Sequence, residues 1–312
     1  MIKLSASRIK TLETCSFLYY TKYVLKLPDK SNKGAELGTV THLVLECLTF
    51  KRRRELAEDL LANDNIYKSE AISRLVDKHL NKLNYGAEEK ELINKYCLVA
   101  LRNDFFIQNF ELGDPEKSFE LKTDKYHLIG FIDKYALKDS VAKVVDYKTS
   151  KQKFSGEDAK FNVQALAYSL AAMRLWPQVK KVFINFLFLK FPNSPKQVFS
   201  YSKKELDGFE KYLEYLTELL ENFTEKDAKS NLAYFDYNKK RLCGSEGFKD
   251  TGEVKWICPY QKPYEYWVLL DKDGNQIKSF HYNEKPVTSL NQTIELRSYK
   301  GCYAFNHKAY EK

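Results

Sequence analysis

The sequence predicts an α/β protein with a mixed central β-sheet flanked by helices, a helical insertion and a small β-rich C-terminal lobe. Three observations predict this class. A hairpin pattern occupies residues 128–148, a helix pattern and a strand pattern follow it at 161–175 and 180–191, and short aromatic-rich strand patterns fill the chain after Thr224. Strands and helices that alternate in this order are typical of a layered domain built from both elements.

The hairpin is the clearest local pattern. Residues 128–137 and 141–148 are rich in β-branched and aromatic side chains, and Lys138, Asp139 and Ser140 supply turn chemistry between them. If Asp139 and Ser140 form a two-residue loop, the register of the two strands follows from the sequence alone.

That register places three ionisable side chains on one face. Asp133 lies directly opposite Asp146, and Lys148 shares the face of Asp146 because side chains alternate along a strand. Two facing carboxylates repel by roughly 1 kcal/mol or more, a cost that a hard cation such as Mg²⁺ removes. A neighbouring lysine could orient an attacking water or stabilise charge on a phosphate. The alternative is a solvated strand face with an incidental trio of charges.

A helix is predicted over residues 37–50, where apolar residues recur at helical spacing. His42 and Glu46 are four residues apart and share one face of it. One interpretation is a half-buried histidine hydrogen-bonded to Glu46. The other is a metal-binding imidazole that the Glu46 carboxylate orients, and both can hold together.

The other elements follow from periodicity and capping residues. We predict a first helix from Ser5 or Ser7 to Tyr23, further helices across the insertion at about 51–115, a strand over 117–122, a helix from Ser202 to Asn222, and a hairpin of 264–270 with 276–280.

Length and composition set the domain organisation. At 312 residues, with 44% hydrophobic residues, the chain exceeds the usual size of one domain. We predict a core over residues 1–225, including the insertion, and an aromatic-rich lobe over 226–312. A run of eighteen apolar residues and a signal-peptide pattern are both missing from the sequence, so we expect a cytoplasmic, nucleic-acid-associated protein without membrane contact, in a bacterial or phage-infected cell.

The net charge of +9 suits a polyanionic partner, and residues 1–30 alone carry +4. Aromatic residues are interleaved with the basic ones there, as in proteins that bind single-stranded nucleic acid. Arg8 and Lys10 are predicted to contact phosphates. Phe17 and Tyr20 are better explained as the buried face of the first helix.

Five motifs, in this order and spacing, resemble those of RecB-like nucleases of the PD-(D/E)XK superfamily, which include phage and CRISPR-associated RecB-like exonucleases. They are Leu4–Arg8 with Cys15 and Tyr19-Tyr20, then Gly38–His42, Gly130–Asp133, Asp146–Ser150, and Gln164 with Tyr168. The resemblance covers about residues 4 to 170. Ile132 stands where the superfamily name has proline, an ordinary variation among its members.

The resemblance implies a restriction-endonuclease-like core and a role for each matching residue. The metal ligands would be His42, Asp133, Asp146 and the main-chain carbonyl of Tyr147, the catalytic lysine would be Lys148, and Gln164 and Tyr168 would support the site and contact DNA. The implied cofactor is Mg²⁺ or Mn²⁺. The implied activity is a DNA nuclease, and more specifically an exonuclease on single strands or DNA ends in recombination, repair or phage DNA metabolism. An acidic residue at the place of Glu120 is also shared, but we do not predict it as a ligand.

The six cysteines leave one question open. An intracellular setting argues against disulfides, and Cys47 and Cys97 are predicted as small buried residues on apolar helix faces. Several RecB-like nucleases hold an iron–sulfur cluster with one N-terminal and three clustered C-terminal cysteines. The candidates here are Cys15, Cys243, Cys258 and Cys302, and their wide separation argues against a cluster.

Two other functions fit the same sequence. The chain could be a catalytically silent DNA-binding subunit of a recombination complex, or a nuclease fold that serves as a protein-interaction scaffold through its aromatic lobe.

Overall fold

The computed structural model describes residues 2–29, 31–103, 105–247, 255 and 257–310. The chain divides into two compact units. The first unit comprises Met1–Ala6 with Ser31–Glu218, and the second comprises Ser7–Lys30 with Leu219–Lys312. Residues 7–30, which we expected in the core, therefore group with the C-terminal residues. A domain boundary at residue 225 stays a prediction.

The first unit contains two sheets and most of the helices. Its strands are β1 (Lys3–Leu4), β2 (Glu111–Leu112), β3 (Lys117–Lys122), β4 (His127–Ile132), β5 (Lys134–Lys138), β6 (Val141–Lys148), β7 (Lys181–Phe188) and β8 (Lys196–Phe199). Two helices near the N-terminus, α1 (Ala6–Thr14) and the short α2 (Ser16–Tyr19), lie almost wholly in residues 7–30, which group with the second unit. The helices that follow are α3 (Lys33–Thr49), α4 (Arg54–Ala62), α5 (Glu70–Leu83), α6 (Ala87–Arg102), α7 (Val163–Leu175) and α8 (Lys203–Glu221).

The main sheet has five strands in the order β2-β5-β6-β7-β8. Strands β6 and β7 are parallel and the other neighbours are antiparallel, so the sheet is mixed. Helices α3 to α6 cover one face through Val145 and Tyr147, which are buried in the helical core, and α7 packs against β7. This confirms the α/β class, the flanking helices and the helical insertion.

The register of the predicted hairpin is correct. Lys138 pairs with Val141 and Lys134 pairs with Val145, which leaves Asp139 and Ser140 as the loop. Asp139 has a φ of 50°, a left-handed conformation that aspartate tolerates in tight turns.

The first arm of the hairpin is not one continuous strand. It breaks at Asp133 into β4, which joins a separate sheet in the order β1-β4-β3, and β5, which joins the main sheet. Periodicity could not show this break, because both halves alternate normally. As a result, Asp133 lies at the junction of the two sheets, where its largely buried side chain borders the cleft described below.

The fold leaves no room for a side chain at Gly130, the first residue of the Gly130–Asp133 motif. It lies opposite Phe119 in the β3–β4 pair, and a Cβ at residue 130 would come within 2.5 Å of the Phe119 ring. We expect Gly130→Ala to lower the free energy of unfolding by about 1–3 kcal/mol, because the buried ring must move. Chemical denaturation measures this difference.

The matched control is Gly208→Ala in α8, where an added Cβ meets nothing within 4 Å. That substitution should stabilise the protein by roughly 0.5–1 kcal/mol through helix propensity. Equal effects at the two glycines would contradict the packing argument.

The second unit combines the N-terminal segment with the C-terminal strands. The predicted first helix is interrupted at Cys15, whose extended backbone separates α1 from α2, and a π-helical turn (Tyr20–Val24) follows. The Ser16 hydroxyl donates to the carbonyl oxygens of Ala228 and Asn231 at 2.7 and 2.9 Å. Short-range periodicity gave no sign of this long-range pairing.

The C-terminal lobe is a three-stranded antiparallel sheet in the order β10-β9-β11. It follows the short α9 (Glu225–Ala228), and its strands are β9 (Tyr264–Leu270), β10 (Gln276–His281) and β11 (Thr293–Tyr299). The predicted hairpin of β9 and β10 is confirmed. Phe17 lies in the core of this unit and Tyr20 packs half-buried against it, as expected for the buried face of the N-terminal segment.

Among the described residues, no helix combines the length and the apolar character needed to cross a bilayer.

Candidate active site

The candidate site lies in the first unit, where the carboxyl end of β6 meets α3, α7 and the bend at Asp133. Asn32 caps α3 by accepting a hydrogen bond from the Ala35 amide at 3.1 Å, and this helix carries His42. Asn162 caps α7 by accepting from two amides, which places Gln164 in its first turn. His42 and Gln164 therefore both start from capped helices.

Asp146 is the most buried acid of the site, with 2% of the residue exposed. Its Oδ1 accepts hydrogen bonds from Gln164 Nε2 at 2.8 Å and from the Tyr168 hydroxyl at 2.9 Å. Its Oδ2 lies 2.6 Å from Lys148 Nζ without the geometry of a hydrogen bond. Lys148 Nζ also donates to Gln164 Oε1 at 2.8 Å, so the amide of Gln164 bridges the acid and the lysine.

Asp133 and His42 form a second group around the backbone of Tyr147. The Tyr147 amide donates to Asp133 Oδ2 at 2.9 Å, and His42 Nε2 lies 2.9 Å from the Tyr147 carbonyl oxygen. His42 Nδ1 lies 3.3 Å from Asp133 Oδ2. His42 is thus within hydrogen-bonding distance of both other groups that the resemblance implied as ligands on this side, Asp133 and the Tyr147 carbonyl.

Glu116 completes this group, and sequence reasoning missed it. Ligand atoms of His42, Glu116 and Asp133 all lie within 4.8 Å of one another. Glu116 precedes β3 with a φ of 51°, and its amide donates to the Asp133 carbonyl oxygen at 3.1 Å. A left-handed backbone at a non-glycine residue is common at functional sites, and at Glu116 only the structure reveals it.

The site opens into a cleft of about 880 Å³. Its lining includes His42, Glu46, Glu116, Asp133 and Lys148. An open cleft of this size admits a polymer backbone as well as a small molecule.

Electrostatics at the site reflect the crowding of acids. Burial raises the pKa of Asp133 well above its usual value, and repulsion from Asp146 raises it further. Burial also raises the pKa of Glu116, and repulsion from Glu46 and Asp146 adds to the shift. Burial lowers the pKa of His42, which favours the neutral imidazole with a lone pair for a metal.

Two acidic residues considered from the sequence, Glu46 and Glu120, lie outside the group of candidate ligands. Glu46 lines the cleft, but the ring nitrogens of His42 face Tyr147 and Asp133, so the interpretation that Glu46 orients the imidazole is wrong. Glu120 lies 2.6 Å from His127 Nε2 and its side chain is 58% exposed. Among the described residues, the grouped ligand atoms belong to His42, Glu116 and Asp133.

Arg8 and Lys10 belong to the second unit, and their contacts with DNA stay a prediction. The Arg8 guanidinium lies 5.1 Å from the centre of the Tyr23 ring, a cation–π contact.

Comparison with known proteins adds to this geometry. Residues 3–250 match the PD-(D/E)XK nuclease superfamily. The chain belongs to this superfamily. The predicted family is therefore confirmed, and the matched range contains all the residues of the candidate site.

Curated relatives of this PD-(D/E)XK nuclease are named as subunits of an ATP-dependent helicase/deoxyribonuclease. The protein of Streptococcus agalactiae serotype Ia is 31% identical over 160 residues, which cover 49% of this chain and 14% of the relative. Those of Clostridium botulinum strain Hall and Carboxydothermus hydrogenoformans are each 24% identical, over 52% and 54% of this chain and 17% and 18% of the relative. The chain thus matches less than one fifth of the length of these relatives.

A solved structure with a related outline comes from Eubacterium rectale, a protein named as a candidate exonuclease. It is 10% identical, with a TM-score of 0.45, and the alignment covers 80% of this chain and 91% of that one.

The residues of this PD-(D/E)XK nuclease fit a hard divalent cation. Neighbouring ligands on an octahedral Mg²⁺ lie about 2.9 Å apart, because each bond is about 2.1 Å long. The distance from His42 Nε2 to the Tyr147 carbonyl oxygen equals this spacing. Oxygen and imidazole donors of the right kind face one cleft, and a cation would relieve the repulsion that raises the pKa of Asp133.

The second unit of the nuclease brings together the four widely spaced cysteines. Cys15, Cys243, Cys258 and Cys302 line one largely enclosed, mostly apolar pocket. The sequence separation that argued against a shared site is therefore bridged by the fold.

The other two cysteines lie elsewhere. Cys97 is fully buried in the helical core, as predicted. Cys47 is only half-buried, so its prediction as a buried residue was wrong. The reason is that Cys47 lies beside the buried stripe of α3 rather than within it, a difference of position that periodicity does not resolve.

The pocket differs from a preformed site for a single ion. No three of its four sulfur atoms, all of which belong to described residues, lie within 4.8 Å of one another. The sulfurs around one zinc would lie about 3.8 Å apart, given Zn–S bonds of about 2.3 Å. Burial raises the pKa of the Cys258 and Cys302 thiols, and the backbone amides of Tyr260 and Ala304 partly offset this shift in favour of the thiolates.

Proposed function

We propose that this chain is a divalent-metal-dependent deoxyribonuclease that hydrolyses phosphodiester bonds. The observation that carries the proposal is the convergence of His42, Asp133 and the Tyr147 carbonyl oxygen beside the Asp146–Lys148 pair in one open cleft. Neither a solvated strand face nor a structural ion pair would bring these groups together at a cleft.

Different residues of the chain would have different roles in hydrolysis. A bound Mg²⁺ or Mn²⁺ would activate water and offset charge on the phosphate. His42, Asp133, Asp146, Glu116 and the Tyr147 carbonyl would hold that ion. The Lys148 ammonium would then orient the nucleophile or stabilise the developing charge on the phosphate oxygens.

Gln164 and Tyr168 are positioning residues in this mechanism. Both donate to Asp146 Oδ1, and Gln164 Nε2 also donates to the Tyr168 hydroxyl at 2.7 Å. Their bonds fix the carboxylate so that its second oxygen faces Lys148. The phenol of Tyr168 is kept neutral, because burial raises its pKa well above the usual value.

The finer activity is an exonuclease on single-stranded DNA or DNA ends. The resemblance to RecB-like exonucleases supports this choice, and the deoxyribonuclease in the names of the curated relatives supports DNA as the substrate. Recombination, repair or phage DNA metabolism is the corresponding setting.

The test is digestion of end-labelled single- and double-stranded DNA by the purified chain with Mg²⁺, with Mn²⁺ and with EDTA. The proposal expects cleavage with either metal and none with EDTA, and mononucleotide release from ends if the action is exonucleolytic. Retained DNA binding without any cleavage would favour a catalytically silent DNA-binding subunit instead. Failure of both would favour the scaffold alternative.

Glu116 provides a specific test of the ligand set. We expect Glu116→Gln to raise the Mg²⁺ concentration for half-maximal cleavage by about tenfold or more, since the amide oxygen keeps the shape but loses the charge. Glu120→Gln, four residues along the same segment, is the matched control and should leave the metal requirement unchanged. Equal metal dependence in the two variants would remove Glu116 from the site.

The four cysteines of the second unit would hold an iron–sulfur cluster. Burial, with a smaller contribution from the neighbouring thiols of the group, raises the pKa of Cys258 to about 11 and that of Cys302 to about 12. Four thiols in such a pocket are poorly placed to ionise alone, and iron binding supplies the positive charge that stabilises the thiolates. The structural support is the pocket that the four cysteines share.

We expect the purified protein to contain iron and acid-labile sulfide and to absorb visible light. Cys258→Ser should abolish the absorbance and lower the thermal stability of the chain, because a cluster links distant segments of the unit. Cys47→Ser, in α3 of the first unit, is the control and should retain the iron. Iron-free protein with native stability after anaerobic purification would contradict the cluster.

A further inference from the structure

The carboxyl ends of the two parallel strands place a second set of charged residues beside the catalytic lysine. Lys148 of β6 pairs with Phe188 of β7, and the Leu189 amide donates to the Lys148 carbonyl oxygen at 2.8 Å. Both strands therefore end at the same level. The loops that follow carry Lys151 and Lys190, and both side chains line the cleft that contains the candidate ligands.

These two lysines line the same cleft and their charges repel. Burial lowers the pKa of Lys190, and the positive charge of Lys151 lowers it further. Neither ammonium forms an ion pair with a residue in the described part of the chain. Lys190 Nζ lies 5.8 Å from the centre of the Tyr96 ring, a weak cation–π contact that leaves most of its charge uncompensated.

The loops that carry the lysines are held in place. Phe154 and Gln197 exchange two hydrogen bonds of 3.1 Å, from the Phe154 amide to Gln197 Oε1 and from Gln197 Nε2 to the Phe154 carbonyl oxygen. The Lys153 ammonium donates to the carbonyl oxygen of Ser194. This bracing fixes the segments from which both lysine side chains reach the cleft.

Aromatic packing also holds the segment that carries Lys151, unlike a loop on an ordinary solvated surface. The ring of Phe154 packs edge-on against Phe186 and Phe188 of β7, with ring centroids 4.9 and 5.2 Å apart. The segment after the catalytic lysine is thus anchored to the sheet by an aromatic side chain. Two cations on a rigid platform are suited to bind an anion at a defined place.

We propose that Lys151 and Lys190 form a phosphate-binding subsite that holds a backbone phosphate of the DNA strand next to the phosphate that is cleaved. The inference rests on the proposed function, because it assigns the neighbouring phosphate to the same substrate. Lysine binds phosphate as a point charge and needs no bidentate geometry. The carboxylates on the other side of the cleft would repel an anion, so the lysines supply the attraction that aligns the strand.

The first test measures binding, which does not depend on cleavage. Fluorescence anisotropy with a labelled single-stranded oligonucleotide in EDTA compares the wild type with the double variant Lys151→Gln, Lys190→Gln over a range of salt concentrations. We expect an affinity loss of about tenfold at low salt. The slope of log affinity against log salt should become shallower by about 0.7 for one phosphate or 1.4 for two.

The matched control is Lys78→Gln, Lys82→Gln. Both lysines are exposed on α5 of the same unit and neither lines the cleft. A double variant at 151 and 190 that keeps the affinity and salt slope of this control overturns the subsite. Lys190→Arg should keep the wild-type affinity, because the positive charge is retained.

The second test uses the kinetics of cleavage. In the double variant we expect KM to rise about tenfold while kcat stays within about threefold, since the lysines bind the strand away from the reacting phosphate. A fall in kcat at unchanged KM overturns the subsite. A wild type that binds DNA but does not cleave it would refute the proposed nuclease, and the binding experiment would still decide on the lysines.

Discussion

Asp146→Asn is expected to reduce DNA cleavage at least about a thousandfold, which corresponds to about 4 kcal/mol in the activation barrier. The reason is that Asp146 contributes to two parts of the site. Its carboxylate would bind the metal, and it also holds the Lys148 ammonium at 2.6 Å. The isosteric amide can still accept from Gln164 and Tyr168, so the fold should be retained. Cleavage rates and circular dichroism measure the two quantities.

The control for this experiment is Asp139→Asn in the loop of the same hairpin. Asp139 is exposed and has a left-handed backbone, which asparagine also adopts. It should cleave DNA at the wild-type rate. If Asp146→Asn cleaves as fast as Asp139→Asn with Mg²⁺ present, the assignment of the metal site is wrong.

Lys148→Gln is expected to lower kcat by about 10²- to 10³-fold with little change in DNA affinity or metal requirement. The ammonium lies between Asp146 and Gln164 and is not among the predicted ligands, so its loss should affect the chemical step. Single-turnover cleavage with bound DNA in excess Mg²⁺ isolates that step.

The comparison variant is Lys138→Gln at the end of β5, on the same hairpin and exposed to solvent. It removes the same charge from the chain without touching the cleft, so it should behave as wild type. A loss in Lys148→Gln that disappears at high DNA concentration would indicate a binding role instead of a catalytic one. This outcome separates Lys148 from Lys151 and Lys190, whose proposed effect is on binding.

The hairpin shows how much local sequence rules can predict. Turn residues at 139 and 140 fix the register, and the two-residue alternation then fixes which side chains share a face. These rules correctly placed Val145 and Tyr147 on the face opposite to Asp146. In the structure the first pair lies in the helical core, and Asp146 accepts from Gln164 and Tyr168. The same rules could not find the bend at Asp133, because it arises where one strand passes from one sheet to another.

Local sequence rules did not predict that Glu116 and Lys190 lie at the cleft. Glu116 reaches the site because its amide bonds to the Asp133 carbonyl oxygen, a contact between segments on either side of β3 and β4. Lys190 reaches it because β7 lies parallel to β6, and a parallel pairing requires a crossover through α7. Neither residue belongs to a motif, so only the assembled sheet reveals their place.

By itself, the sequence determined the α/β class and the hairpin register, because these depend on turn chemistry and periodicity within short segments, and the order and spacing of its motifs indicated the family. The tertiary structure decided the grouping of residues 7–30 with the C-terminal strands, the position of Glu116 beside His42 and Asp133 in the candidate metal site, and the meeting of Cys15 with Cys302 in one pocket. Such contacts depend on the packing of whole elements, which brings together side chains that no local pattern connects.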